Sequence, residues 1–293
     1  MSQTVNEGTK GTLELGVQLN FDWLTDLSVV REIVQGLDEA GFAYVTMGGH
    51  ILTAPGGSRP DRPAYSYSMT YRDPFVLFAN LAAVTRNIRF QTGVLLLPLF
   101  STVHVAKQAA DLSLLSDGRF ELGVGIGSEP TEYRSMGREM AGRGQRFEEQ
   151  IEVLRLLWTE PFVTFEGQFH TLADEGLGQR PDRPVPIWFG CTADARLLQR
   201  VARLGEGWMP MSSPTPETVS ELQGYAQEAG RSEPIGVAGR LILTGDDPDK
   251  WAKFGQRLRQ AGATAISITT LESSPEAVVA SLEAARAALQ TEA

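Results

Sequence analysis

The stretch that decides the fold lies between residues 91 and 127 and contains, in order, QTGVLLLP (91–98), VAKQ (105–108) and LSDGRFELGVGIG (115–127). The first and third segments are apolar runs that carry glycines, and the middle segment lies in a stretch without glycine or proline. This order predicts a strand, a helix and a second strand. The glycines at the strand ends would allow a flat ring to approach the backbone.

The same alternation extends over the whole chain. Capping residues followed by proline mark helix starts at Asp73, Thr215 and Ser274. Because parallel strands buried on both faces read as unbroken apolar runs, eight such runs separated by helical patterns predict an α/β fold of the (β/α)8 barrel type, a TIM barrel. The eight runs lie at 13–20, 43–49, 88–97, 119–127, 185–191, 207–211, 236–243 and 265–270.

We expect one barrel domain over residues 13–293, preceded by a disordered polar tail at 1–12. Two insertions interrupt the barrel pattern. One follows the second strand at 50–72, and the other precedes the fifth strand at 161–184, with a hairpin predicted at 162–169. Loops of this length often close over a site as lids, and the alternative is a surface segment without a role.

Composition excludes several classes of partner. The 293 residues carry a net charge of −10, which argues against binding nucleic acid or an anionic membrane. The expected partner is a small-molecule substrate. No apolar run approaches the roughly 20 residues that span a bilayer, and residues 1–12 lack signal-peptide features, so a cytoplasmic location is expected. A single cysteine, Cys191, and three scattered histidines give no spacing typical of a metal site.

In a barrel of this type, functional residues lie at the carboxyl ends of the strands. Two of these strand-end residues, His50 and Glu129, are candidate catalytic groups. The remaining strand ends combine glycine with apolar side chains, which suits an aromatic cofactor better than a charged metabolite. The predicted cofactor contacts are Asn20, Gly93, Val94, Leu95, Gly125, Gly127, Ser128, Gly190, Cys191 and Thr192.

The segment from Gly190 to Arg196 passes from the fifth strand into a helix. Free backbone N–H groups at the start of that helix would favour an anion such as a phosphate. The alternative is that Thr192 only caps the helix. Cys191 is expected to be a small packing residue because no histidine partner is suggested nearby.

Seven segments, in this order, resemble the luciferase-like (flavin-utilising) monooxygenases, and among them most closely the oxidoreductases that depend on the deazaflavin coenzyme F420. The resemblance covers roughly residues 13–290. The segments are TGV (92–94), AKQ (106–108), LSDGR (115–119), GVGIG (123–127), RGQRFEE (143–149), PIWFG (186–190) and ARLGEGW (202–208).

The resemblance implies a non-prolyl cis peptide at Gly93–Val94 that supports the middle ring of the cofactor. The alternative is that Gly93 only relieves crowding in the strand. His50 stands where a deazaflavin-dependent sugar-phosphate dehydrogenase has its active-site histidine, although a lone histidine is often structural. The glutamate of that enzyme corresponds to Ser128, with Glu129 next to it, and its tryptophan is absent here, so sugar-phosphate oxidation is not expected.

The resemblance leaves three functions open. The first is hydride transfer between F420 and a small organic substrate, favoured by the similarity, the short chain and the excess of 22 Arg over 4 Lys, a bias found in actinobacterial genomes. The second is oxygen insertion by reduced FMN. The third is a homologue that binds a cofactor without catalysis. The family also implies a homodimer.

Overall fold

The computed structural model describes residues 13–19, 23–52 and 71–290. Within these ranges the chain forms ten β-strands and nine α-helices. The expected tail at 1–12, the candidate Asn20 and most of the first insertion lie outside the described residues. The predictions for those segments therefore stay predictions.

Eight parallel strands close a barrel in the order β1-β10-β9-β8-β7-β4-β3-β2. Strand β1 pairs with both β2 and β10, and these two pairings complete the ring. This architecture confirms the predicted (β/α)8 class, and each barrel strand falls on one of the eight apolar runs. The bounds are β1 Glu14–Gln18, β2 Tyr44–Gly49, β3 Arg89–Leu96, β4 Phe120–Gly125, β7 Ile187–Cys191, β8 Gly207–Pro210, β9 Gly236–Ile242 and β10 Ala265–Thr269.

The helices surround the barrel and begin at the residues that the sequence marks. The side chains of Asp73 and Thr215 accept hydrogen bonds from backbone N–H groups of the first turn, and Ser274 Oγ accepts one from Ala277. None of the helices in the described ranges combines the length and apolarity needed to cross a membrane. The helices are α1 Leu27–Glu39, α2 Pro74–Ala82, α3 Thr102–Leu115, α4 Pro130–Ser135, α5 Arg143–Thr159, α6 Ala195–Leu204, α7 Pro216–Glu228, α8 Pro248–Gln260 and α9 Pro275–Gln290.

The second insertion contains the predicted hairpin, formed by β5 (Val163–Glu166) and β6 (Thr171–Glu175). Its turn is fixed by Glu149 of α5, whose carboxylate accepts hydrogen bonds from the N–H groups of Gln168 and Phe169 and lies 2.7 Å from His170 Nδ1. The other ring nitrogen of His170 lies 2.6 Å from Thr102 Oγ1. Both ring nitrogens of His170 are therefore engaged in fixing the hairpin to α5 and α3.

The interior of the barrel is filled differently at its two ends. Near the amino ends of the strands, the Tyr44 ring lies against Gly16, and the Trp188 ring lies against Gly207. A Cβ atom at either glycine would lie within 2.2 Å of the neighbouring ring. Near the carboxyl ends, the inward positions carry small residues such as Thr46 and Gly123. We call this end the mouth of the barrel; it is the end where ligands bind in this fold.

Candidate functional site

Strand β3 is irregular where it reaches the mouth. The peptide bond between Gly93 and Val94 is cis. The register of β3 shifts against β4 between Gln91 and Leu95, and it also shifts against β2. The cis peptide that the family resemblance implies is therefore present, and it lies where the register of β3 shifts against both neighbouring strands.

The side chain of Val94 fills the space beside two of the predicted cofactor-binding glycines. A Cβ atom at Gly125 would lie 2.8 Å from one Val94 methyl carbon, and a Cβ atom at Gly190 would lie 2.6 Å from the other. On this side, a planar ligand would meet Val94 before it reached the backbone of either glycine. Gly125 and Gly190, at the ends of β4 and β7, therefore leave room for the Val94 side chain. The sequence did not predict this contact.

Replacing Gly190 tests whether the Val94 side chain fills the space beside it. We expect Gly190→Ala to lower the free energy of unfolding by about 1–3 kcal/mol, because the new methyl group overpacks the site. Combining it with Val94→Ala should recover part of that loss, since the colliding methyl carbons are removed. Chemical denaturation of the two single variants and the double variant gives the coupling energy. Strictly additive losses would show that the two residues do not share this space.

The other predicted contacts near β3 and β4 differ in exposure. The Leu95 side chain is fully buried in the core outside the barrel, so only its backbone is available to a ligand. Gly127 adopts a φ of +71°, which glycine tolerates best, and Ser128 is exposed. The Tyr133 hydroxyl donates a hydrogen bond to the carbonyl of Ile126 and fixes this turn.

His50, at the end of β2, is paired with a carboxylate that the sequence reasoning missed. Its Nδ1 lies 3.0 Å from Glu132 Oε2, and the two side chains are 14% and 4% exposed. The other carboxylate oxygen accepts hydrogen bonds from the N–H groups of Ile51 at 2.8 Å and Leu52 at 3.3 Å. Because Nδ1 is engaged by Glu132, any proton exchange with a ligand would involve Nε2.

The Glu132 carboxylate is held in its charged form. Burial alone would raise its pKa, but hydrogen bonds from His50 and from the backbone of Ile51 and Leu52 outweigh burial, and the pKa is lowered. In the sequence, only its place in the short segment after β4 marks Glu132 as a candidate. The prediction names Glu129, three residues earlier in that segment.

Three buried polar oxygens near the mouth lack hydrogen-bond partners within the described part of the chain: Glu129 Oε2, Thr46 Oγ1 and Ser267 Oγ. Glu129 is only 6% exposed, and its side chain does not cap α4. Because an unpartnered buried polar atom is costly, such atoms often mark the place of a ligand. These oxygens and the small inward-facing residues fit a planar cofactor with polar edges.

The start of α6, where the sequence predicts a phosphate site beside Gly190, Cys191 and Thr192, is capped by an acidic side chain. Asp194 caps this helix, and its carboxylate accepts hydrogen bonds from the N–H groups of Arg196 at 3.1 Å and Leu197 at 3.3 Å. These two N–H groups are therefore not free for an anion, and Thr192 is not the cap of the helix. Contact of a phosphate with the backbone of Gly190, Cys191 and Thr192 stays a prediction. A carboxylate at this position would repel a phosphate.

Cys191 lies at the end of β7 and is partly buried. Burial raises the pKa of its thiol to about 11. The thiol is therefore almost entirely protonated at neutral pH, which agrees with the expected packing role.

A model of the luciferase-like monooxygenase family matches residues 4–292. The chain belongs to this family. A Mycobacterium tuberculosis relative in the curated set, Rv0940c, is 32% identical over 73% of this chain and 77% of its own. The F420-dependent glucose-6-phosphate dehydrogenase of Amycolatopsis mediterranei is 34% identical over 46% of this chain and 42% of its own.

Two solved structures show the same fold. An F420-dependent secondary alcohol dehydrogenase in complex with an F420–acetone adduct superposes with a TM-score of 0.79, at 16% identity, over 95% of this chain and 99% of that protein. An EDTA monooxygenase from Chelativorans superposes with a TM-score of 0.75, at 15% identity, over 94% of this chain and 93% of that protein. At these identities the superpositions show a shared fold.

Proposed function

We propose that this protein is an oxidoreductase that transfers a hydride between coenzyme F420 and a small organic substrate. The observation that carries the proposal is the His50–Glu132 pair at the mouth, a proton donor and acceptor beside a site that fits a planar cofactor. The similarity to F420-dependent relatives supports this choice of cofactor.

The mouth offers a surface and polar groups for the ring of the cofactor. When bound, the deazaflavin would supply hydride chemistry without readily activating oxygen. Val94 would support one face of the ring, while Thr46 and Ser267 could hydrogen-bond its polar edges. The apolar side chains of Val94 and Leu96 would exclude water from the reacting centre.

His50 would move the proton that accompanies hydride transfer. Its Nε2 would donate a proton to a substrate oxygen during reduction, or accept one during oxidation. Glu132 would hold the ring in one orientation through Nδ1, which makes Glu132 a positioning residue. Glu129 remains a second candidate acid, since its buried carboxylate has an oxygen free of partners in the described residues.

Replacing Glu132 by Gln tests the positioning role. Glutamine has one acceptor oxygen where the carboxylate has two, so it cannot accept hydrogen bonds from the Ile51 backbone and from His50 Nδ1 in the same arrangement, and we expect kcat to fall about tenfold or more. The KM for substrate and the affinity for cofactor should change little. Glu139→Gln, at an exposed position on the same connection, is the matched control. A rise in KM at constant kcat would show that Glu132 serves substrate binding instead.

The alternative is an FMN-dependent monooxygenase that uses reduced FMN and oxygen, supported by the description of the family and by the EDTA monooxygenase structure. Parallel titrations of the purified protein with F420 and with FMN separate the two cofactors. Hydride transfer by the F420-loaded protein would support the proposal. Oxygen consumption with reduced FMN would instead indicate an FMN-dependent monooxygenase. Cofactor binding without either activity would indicate a non-catalytic homologue.

We also propose a cytoplasmic homodimer that contacts through its early helices. Apolar side chains on α2 and α3 are unusually exposed, with Val76 at 70% and Leu115 at 67%. Burying such side chains would favour association. Light scattering of the purified protein should give twice the 31.9 kDa mass of the chain.

A further inference from the structure

Three large apolar side chains are exposed at the mouth, where three neighbouring barrel strands end. Met211 follows β8, Ile242 ends β9 and Leu271 lies two residues beyond β10; they are 55%, 57% and 68% exposed. We call Met211, Ile242 and Leu271 the apolar arc. The three strands are consecutive in the barrel, and neighbouring strands lie about 4.8 Å apart, so the arc extends over about 10 Å of the mouth.

Hydrogen bonds fix the backbone at both ends of the arc. At one end, the Met211 N–H donates to the Cys191 carbonyl at 3.2 Å, and the Arg240 guanidinium donates to the Met211 carbonyl at 2.9 Å. At the other end, the Trp23 indole N–H donates to the carbonyl of Glu272 at 2.9 Å. The arc is therefore a preformed surface, and a ligand would not have to order it on binding.

The position of the arc in the barrel indicates what it would contact. Its β8 end is next to β7, where Val94 fills the space beside Gly190. At its β10 end, only β1 separates the arc from β2, which leads to His50. Grouped apolar side chains that stay exposed often mark a binding surface. A molecule lying on this surface would extend between the proposed ring support and the proposed proton donor.

A cavity beside α8 continues the apolar surface. It has a volume of about 260 Å³, and Ile242 of the arc borders it together with Leu241, Trp251 and Phe254. The cavity is smaller than the pockets of about 300–1,000 Å³ that hold whole ligands, so it suits the end of an alkyl chain or a ring. Basic side chains can line such a space with their apolar stems while their charges stay in water. The remaining lining residues are Thr244, Lys250, Lys253 and Arg257, all exposed.

We propose that the apolar arc binds the body of the substrate, and that the substrate is a largely apolar molecule with an alkyl chain or a ring system. Its reactive end would lie toward His50 and its far end at the cavity. A small polar metabolite would leave the arc in contact with water and gain nothing from it. The assignment of the ligand as substrate rests on the proposed function, whereas the binding of an apolar molecule does not.

Titration with the neutral apolar dye Nile red, followed by its fluorescence, tests the arc without any cofactor. The triple variant Met211→Gln/Ile242→Thr/Leu271→Gln changes exposed positions only, so its melting temperature should stay close to that of the wild type. We expect it to bind the dye about tenfold or more weakly. Phe162→Gln, at a 66% exposed position just before β5, is the control and should bind as the wild type does. Equal binding by the wild type and the triple variant, or none by the wild type, would overturn the proposal.

Displacement of the dye by butan-2-one, hexan-2-one and octan-2-one tests the class of substrate. Each added methylene should raise the affinity of the wild type about fourfold and that of the triple variant less. Equal affinities along the series would contradict a site for an apolar body. If the triple variant had half the mass of the wild type in light scattering, the arc would be an interface between two copies, and the proposal would be wrong. A lack of hydride transfer with F420 would remove the proposed function and leave the dependence of binding on chain length intact.

Discussion

Gly123→Ala should prevent the barrel from forming a stable native state. A Cβ atom at this position in β4 would lie 1.8 Å from the carbonyl oxygen of Thr92 and 3.1 Å from the Met209 methyl carbon. The oxygen belongs to the backbone of β3, which is held in place because Thr92 Oγ1 also donates to the Gly123 carbonyl at 2.7 Å. We expect the free energy of unfolding to fall by about 4 kcal/mol or more, a large part of the stability of a typical domain.

Gly224→Ala is the matched control, since it makes the same chemical change where there is room. Gly224 lies within α7, and a Cβ atom there would meet no atom within 4 Å. Alanine should stabilise this helix by about 0.5–1 kcal/mol. Urea denaturation of the three proteins gives the comparison. If the free energy of unfolding of Gly123→Ala were within about 1 kcal/mol of the wild-type value, the backbone of β3 would be able to shift here at little cost.

His50→Ala should lower turnover about 100-fold or more, because the proposed proton donor and acceptor is removed. The variant also deprives the buried Glu132 carboxylate of a hydrogen bond, so a second variant is needed to separate the two effects. His50→Gln offers a hydrogen-bond donor to Glu132 but cannot exchange a proton at neutral pH. Both variants should bind the cofactor nearly as tightly as wild type in equilibrium titrations.

His104→Ala is the control for His50, since this histidine is exposed on α3 and lies outside the site. The turnover of the His104→Ala variant should match that of the wild type. Full activity in His50→Gln, with a loss only in His50→Ala, would indicate that His50 acts by supporting Glu132 and the loop beyond β2. Full activity in both variants would remove the residue from the mechanism.

The positions of the strands could be predicted because burial on both faces requires a local run of apolar residues in the sequence. Each barrel strand needs a short run of apolar residues, and the residues that begin a helix must satisfy its free N–H groups. The runs at 119–127 and 185–191, and the caps at Asp73 and Thr215, could therefore be read without knowing what they touch. The cis peptide at Gly93–Val94 was predictable from the family resemblance and not from local hydrophobicity.

The contacts of the site were less predictable, because they join residues far apart in the chain. Glu132 is 82 positions from His50, and no local pattern marks the pair. Asp194 and Thr192 are both good capping residues, and only the backbone geometry decided that Asp194 accepts the hydrogen bonds. The Asp194 carboxylate therefore occupies two of the N–H groups at the start of α6 that a phosphate could have used.

The sequence by itself determined the class of fold, the positions of the strands and the end of the barrel where a site would form, since each follows from local hydrophobicity and capping. Tertiary structure decided which side chains meet there. Val94 fills the space beside Gly125 and Gly190, and Glu132 holds His50. These contacts depend on the curvature and register of a closed sheet, which set distances between strands that no single segment encodes.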